Sequence, residues 1–148
     1  MKLIHYNSKP FDIQRVNPIK NIHYNKPAGG LWCSPANGTY VWENWCKDAE
    51  WEYRLQYRYE LELCTERILT IDSREDILNV PVQYLGEDLP YVSPDFERIA
   101  MEYDALYLTD NGLGDTHRYM DLDFKSVHFR GWDVETVLVL NKDIIKLT

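Results

Sequence analysis

From residue 55 to residue 63 the chain alternates without a break: Leu55, Tyr57, Tyr59, Leu61 and Leu63 against Gln56, Arg58, Glu60 and Glu62. Successive side chains of an extended strand point to opposite faces, so this pattern buries one face and wets the other. Other short apolar runs read as further strands. They are 2–7, stopped by Asn7-Ser8-Lys9-Pro10; 31–35, ended by a proline; 67–71; 105–109; and 137–141, with Ile144, Ile145 and Leu147 following. Their brevity and their turn-forming boundaries suit an antiparallel sheet.

Helical periodicity appears between these strands. Trp42, Trp45, Cys46, Ala49 and Tyr53 fall at i, i+3, i+4, i+7 and i+11, the stripe of an amphipathic helix laid on a sheet, which casts Trp42 and Trp45 as core residues. Asp72-Ser73 suits the cap of a short helix ending near Leu78. Ser93 before Pro94 suits an N-cap followed by the first helical residue, for a helix to about Tyr103 with Phe96, Ile99 and Ala100 inward. Asp110 to Gly114 reads as a turn. Residues 11–30 and 81–94 have little periodicity and read as irregular connections, the first with room for one short helix. Interspersed strands and short helices make an α+β domain, and 148 residues fill one domain, 1–148, that buries about two thirds of its unfolded surface.

Charge and cysteine content narrow the function classes. A net charge of −8 disfavours a broad phosphate-binding surface, and with it general coating of nucleic acid, although a single nucleotide in a cleft remains compatible. Cys33, Cys46 and Cys64 have no metal spacing and their odd number gives no disulfide framework, which points to reduced thiols in a cytoplasmic protein. The first residues lack the apolar run of a leader, and no run is long enough to span a membrane. The excess of Tyr and Trp, 11 and 5 residues, suits core corners and the walls of a pocket for a planar ligand.

Most familiar chemistries lack their residues. His5, His23, His117 and His128 form no HExxH pair, and no phosphate-binding glycine loop, GxSxG motif or dinucleotide fingerprint is present. Cys33 as a thiol nucleophile competes with the commoner role of a buried, inert cysteine. What stands out is Asp133 and Glu135 just before the run Thr136-Val137-Leu138-Val139-Leu140. If that strand starts early, the two carboxylates point to the same side, at the rim of the core. A fixed acid there stabilises positive charge that develops during a reaction; two solvated charges are the plainer alternative.

Four segments together carry a resemblance: Ile4-His5-Tyr6-Asn7-Ser8; Lys26-Pro27-Ala28-Gly29-Gly30-Leu31-Trp32-Cys33-Ser34; Tyr103-Asp104-Ala105-Leu106; and Gly131-Trp132-Asp133 with Asn141-Lys142-Asp143-Ile144. In this order they resemble the motifs of small ADP-ribosyltransferases of the phage and bacterial type. The resemblance implies a split, mainly antiparallel twisted sheet, NAD as substrate, and a mono-ADP-ribosyltransferase that modifies a host or partner protein, as a phage factor or a toxin. It also implies that His5, with Tyr6 beside it, holds the NAD ribose and carboxamide region. Trp32, Ser34 and Tyr40 would line the nicotinamide pocket, and an acid before the last core strand would be catalytic. The superfamily commonly has glutamate there, whereas here Asp133 is favoured, beside Trp132, with Glu135 in reserve.

Two other functions compete. One is a non-catalytic module of the same fold that binds a nucleotide or a protein; for either reading an exposed hydrophobic patch near residues 84–91 would be a candidate target surface. The other is a phosphate-removing RNA enzyme on the same scaffold, which the acidic charge opposes. The residues also have ordinary roles: His5 as a rim histidine, Trp32 as packing, Gly29-Gly30 as a turn, and His128, Phe129 and Arg130 as a mixed-charge loop.

Overall fold

A computed structural model of the chain describes residues 1–22, 25–84, 92–119 and 129–148. In it the long alternation becomes strand β3, Tyr57–Leu63, which starts two residues late because a 3-10 turn, Glu52–Leu55, takes up Leu55. Seven strands join one sheet: β1 (Lys2–Asn7), β2 (Leu31–Pro35), β3, β4 (Ile68–Ile71), β7 (Ala105–Leu108), β8 (Thr136–Val139) and β9 (Ile145–Leu147). Their order is β4-β7-β8-β2-β1-β3-β9, and every pairing is antiparallel except β4 with β7. The chain is therefore α+β with a mainly antiparallel sheet, as its patterning implies. The short run at 145–147, expected only as apolar residues after the last strand, pairs with β3 as an edge strand.

At β7 and β8 the sheet is buried on both faces, which follow residue parity, whereas β3 leaves Arg58, Glu60 and Glu62 exposed. Leu106, Leu108 and Leu138 pack with Ile77, Phe96, Ile99 and Leu113 of the helices, and with Phe129 and Trp132. Leu31, Cys33, Ala105, Val137 and Val139 form the other cluster with Leu3, Leu61 and Leu63. In that second cluster side chains of β3 join those of β7 and β8, although β1 and β2 lie between them in the sheet order, and just beyond the strands Thr65 Oγ1 donates to Asp104 Oδ2 at 2.7 Å. Flat strands so far apart do not touch, so the sheet curls around this cluster.

Four helices, α1 (Trp42–Asp48), α2 (Arg74–Leu78), α3 (Phe96–Glu102) and α4 (Asp110–Tyr119), are present among the described residues. Ser73 caps α2 as expected, accepting the N–H of Asp76. Four expectations need correction. The turn at 110–114 is the first half of α4: Thr109 Oγ1 accepts the N–H of Gly112 at 3.1 Å and so starts the helix. The glycine is there for space, since a Cβ on Gly112 would lie 2.1 Å from the carbonyl oxygen of Ile71. The cap of α3 is Asp95 rather than Ser93, because Asp95 Oδ1 accepts the N–H of Arg98 at 3.1 Å and Ser93 belongs to a strand. The 81–94 stretch is not wholly irregular: β5 (Val82–Tyr84) and β6 (Val92–Pro94) pair as a second, small antiparallel sheet.

The fourth correction concerns the tryptophan stripe. The helix α1 stops at Asp48, and Glu50 takes a left-handed conformation at φ 58° that ends it. Only Cys46 of the helix is buried. Trp42 and Trp45 instead stack on each other at 5.2 Å, half-buried, with Trp51 edge-on to Trp45 at 4.7 Å and the Arg54 guanidinium 4.6 Å from the Trp51 ring. They form an aromatic and cationic layer beside the sheet instead of core. The 11–30 connection is held at its middle by the Lys20–Ala28 bridge. Asn21 also ties it to α3, its Oδ1 accepting the N–H of Phe96 at 2.9 Å.

Candidate functional site

The sheet is joined weakly at one place. β1 pairs with β3 over six residues, Lys2 to Asn7, but with β2 only at Leu3–Pro35 and Ile4–Ser34. Continuing that register would set His5 against Cys33 and Tyr6 against Trp32, yet those residues do not pair, and the sheet forks. Open backbone groups in a fork need other partners. His5 supplies one: its Nδ1 lies 2.8 Å from the carbonyl oxygen of Trp32. A carbonyl only accepts, so Nδ1 carries the proton and Nε2 is left as an acceptor. That Nε2 is buried and has no partner among the described residues. The ring packs against Phe11 at 4.6 Å. Burial pulls its pKa below the ordinary value of 6.5, and the bond to the Trp32 carbonyl only partly opposes this, so His5 is neutral at pH 7.

A cleft of about 370 Å³ occupies the fork, a size ordinary for a small-molecule site. Ile4, His5 and Tyr6 of β1 line it together with Trp32, Cys33 and Ser34 of β2. Gly131, Trp132, Asp133, Val134 and Thr136 also line it, as do Lys26, Pro27 and Trp42. Trp132 is fully buried and fixes that lining: it meets Trp32 edge-on at 4.7 Å and Phe129 at 5.1 Å, and its indole N–H donates to the Asn25 carbonyl at 2.7 Å. A wall locked on three sides keeps its shape when the cleft is empty. The Lys26 ammonium sits 5.8 Å from the centre of the Trp32 ring.

The structure brings together five of the seven site residues expected from sequence: His5, Tyr6, Trp32, Ser34 and Asp133. The Tyr6 hydroxyl donates to the Glu43 carboxylate, itself paired with Lys47 at 2.6 Å. Burial, and then the bond to Glu43, raise the Tyr6 pKa. Lys47, and then Tyr6, hold that of Glu43 down. Ser34 is buried and its Oγ accepts the N–H of Trp42 at 3.4 Å, which places the helix α1 at the rim. Asp133 is exposed at the cleft and has no hydrogen bond or ion pair among the described residues.

Tyr40 and Glu135 lie outside the lining. The Tyr40 hydroxyl donates to Asp48 at 2.6 Å, and that bond raises its pKa. Glu135 is buried, its Oε1 accepting the Tyr107 hydroxyl at 2.5 Å and its Oε2 the N–H of Thr39 at 3.2 Å. Burial, then Glu135, drive the Tyr107 pKa upward. The expectation that Asp133 and Glu135 share a side fails because β8 begins only at Thr136. Before it the chain is not regularly extended, so a spacing of two does not impose a common face. Glu135 fastens the 38–40 turn to the sheet, and Asp133 is left at the cleft.

Two other motif segments meet away from the cleft lining. Asn141 donates to Asp104 Oδ1 at 3.0 Å and Thr65 to Oδ2 at 2.7 Å, and these bonds, the first most, hold the Asp104 pKa down. Cys33 lies in the lining, but burial pushes its thiol far up, away from nucleophilic use. No group of three or more His, Cys, Asp or Glu able to hold a metal is found among the described residues. No helix among them is long and apolar enough to cross a membrane. His23, His128 and the expected 85–91 part of a target surface lie outside the described residues; Tyr84 is exposed beside them. Sequence reasoning did not assign cleft roles to Lys26, Trp42 or Thr136. Only the meeting of four distant segments at the fork reveals them.

Comparison with protein-family profiles, with curated proteins and with solved structures finds no match to this chain.

Proposed function

We propose that the cleft binds NAD and that the protein is a mono-ADP-ribosyltransferase acting on a partner protein in the cytoplasm, as a phage factor or a toxin. The observation that carries this reading is Asp133: a carboxylate with no partner among the described residues, at a cleft lined by Trp32 and Trp132, on the same fork as a neutral His5. The three parts answer three needs of the chemistry. An aromatic wall accommodates the flat nicotinamide ring. His5 lines the cleft, and its buried Nε2, unpaired among the described residues, is an acceptor whose burial a donor would offset.

Asp133 serves the bond-breaking step. When the bond between nicotinamide and ribose breaks, the ring leaves with the bonding electron pair as neutral nicotinamide, and positive charge shifts to the ribosyl carbon. A carboxylate beside that carbon stabilises the charge more in the transition state than in the bound substrate, which is the condition for acceleration. The acceptor side chain then attacks the ribosyl carbon and gives up a proton. Its identity rests on surfaces outside the fork.

The test is transfer of label from adenylate-labelled NAD to proteins of a cell lysate, by the wild type and by Asp133→Asn, with thermal melting of both. Label transferred by the wild type and lost in a variant that melts normally supports the transferase. NAD bound without transfer by either protein would favour the non-catalytic nucleotide-binding module, and no NAD binding at all would end the NAD reading and favour a module that binds a protein.

A further inference from the structure

We infer that Lys26 selects phosphorylated pyridinium ligands: its ammonium lies over the Trp32 ring, and yields that place to the ligand ring while pairing with the ligand's phosphate. This inference rests on the NAD reading of the cleft and adds to it a residue and a ligand class. Lys26 and Asp133 are the charged side chains among the described lining residues, since His5 is neutral. Lys26 has no carboxylate within ion-pairing distance among the described residues. It rests 5.8 Å from the Trp32 ring centre, so the face is occupied by a cation.

An aromatic face that attracts an ammonium also attracts a flat pyridinium, which adds ring contact to the same electrostatics. The two cations cannot share the face. Once displaced, the flexible lysine stem keeps its charge near the cleft, where a phosphate linked to the ribose is the complementary group. The Lys26 stem passes beside Gly131, where a Cβ would lie 3.8 Å from Lys26 Cε, an ordinary contact. A ligand with the ring alone must displace the ammonium without offering it a new partner. A ligand with ring and phosphate does both.

The experiment is equilibrium binding of NAD and of nicotinamide riboside, which carries the ring and ribose but no phosphate, to the wild type, Lys26→Met and Lys26→Arg. Methionine keeps an apolar stem of similar length and removes the charge. The expected result is that Lys26→Met weakens NAD about tenfold, the scale of one charge-assisted contact, and leaves the riboside equal or tighter, while Lys26→Arg stays within about threefold of wild type for NAD. Equal weakening of both ligands would mark Lys26 as packing and overturn the inference, and so would unchanged NAD binding. If the wild type binds neither ligand, the NAD reading itself falls, and the inference with it; that result differs from NAD bound equally by wild type and variant.

Discussion

The Nδ1 of His5 bonds to the Trp32 carbonyl oxygen at 2.8 Å, across a gap where β1 and β2 have ceased to pair. A side chain here does the work of a missing backbone hydrogen bond. It fixes the width of the fork and also decides the tautomer, so that the free nitrogen is an acceptor. Fold and site thus meet in one residue: the same ring that bridges the two strands lines the cleft and carries an Nε2 unpaired among the described residues.

Stability should fall as pH drops through the ordinary histidine range. The folded pKa of His5 lies below its unfolded value of 6.5, so between the two the unfolded chain binds more protons than the folded one. The His5 contribution is complete above 6.5 and is lost as pH falls below it. Asp76 and Asp104, whose folded pKa values lie below the ordinary 3.8, act only at lower pH. Urea unfolding at pH 8 and pH 5.5 should show the loss in the wild type and a smaller one in His5→Gln. An identical pH slope in the two proteins would contradict this.

Glu135→Ala should destabilise the fold by about 2–4 kcal/mol, because the Tyr107 hydroxyl and the Thr39 N–H lose their acceptor. Tyr107→Phe should cost less, and the double variant much less than the sum, as residues in direct contact couple. Additive losses in denaturant unfolding would show that the two residues do not act as a pair.

Two glycines in one helix should respond with opposite signs. A Cβ on Gly112 meets the Ile71 carbonyl, whereas one on Gly114 meets nothing within 4 Å. Gly114→Ala should raise stability by roughly 0.5–1 kcal/mol from helix propensity alone. Gly112→Ala should lower it by about 1–3 kcal/mol through overpacking. Thermal melting of the two variants checks both; stabilisation by Gly112→Ala would mean that α4 does not rest on β4.

Much of the strand content was legible because its signal is local. The alternation of β3, the proline ending β2 and the serine capping α2 each act within a few residues. What escaped depends on partners far along the chain. Nothing near Gly112 says that the backbone of Ile71 will press on it, so a glycine-rich helix start resembled a turn. Trp42 and Trp45 carry core periodicity, but their helix ends after seven residues and they stack on each other. At the site, His5, Trp32 and Asp133 could be singled out by residue type and motif order. The division of labour between Asp133 and Glu135 could not, because it depends on Tyr107 and the 38–40 turn reaching one carboxylate and not the other.

The most direct measurement is the rate of nicotinamide release from NAD, with lysate protein as acceptor, for the wild type, Asp133→Ala and Glu135→Ala. The wild type should release nicotinamide, and Asp133→Ala should lose at least about 100-fold of the rate with its melting temperature unchanged, as expected when a group that stabilises developing charge is removed. Glu135→Ala should lose activity only in step with its lost stability. Release undiminished in Asp133→Ala, or absent from the wild type, would contradict the assignment of the fork as a transferase site.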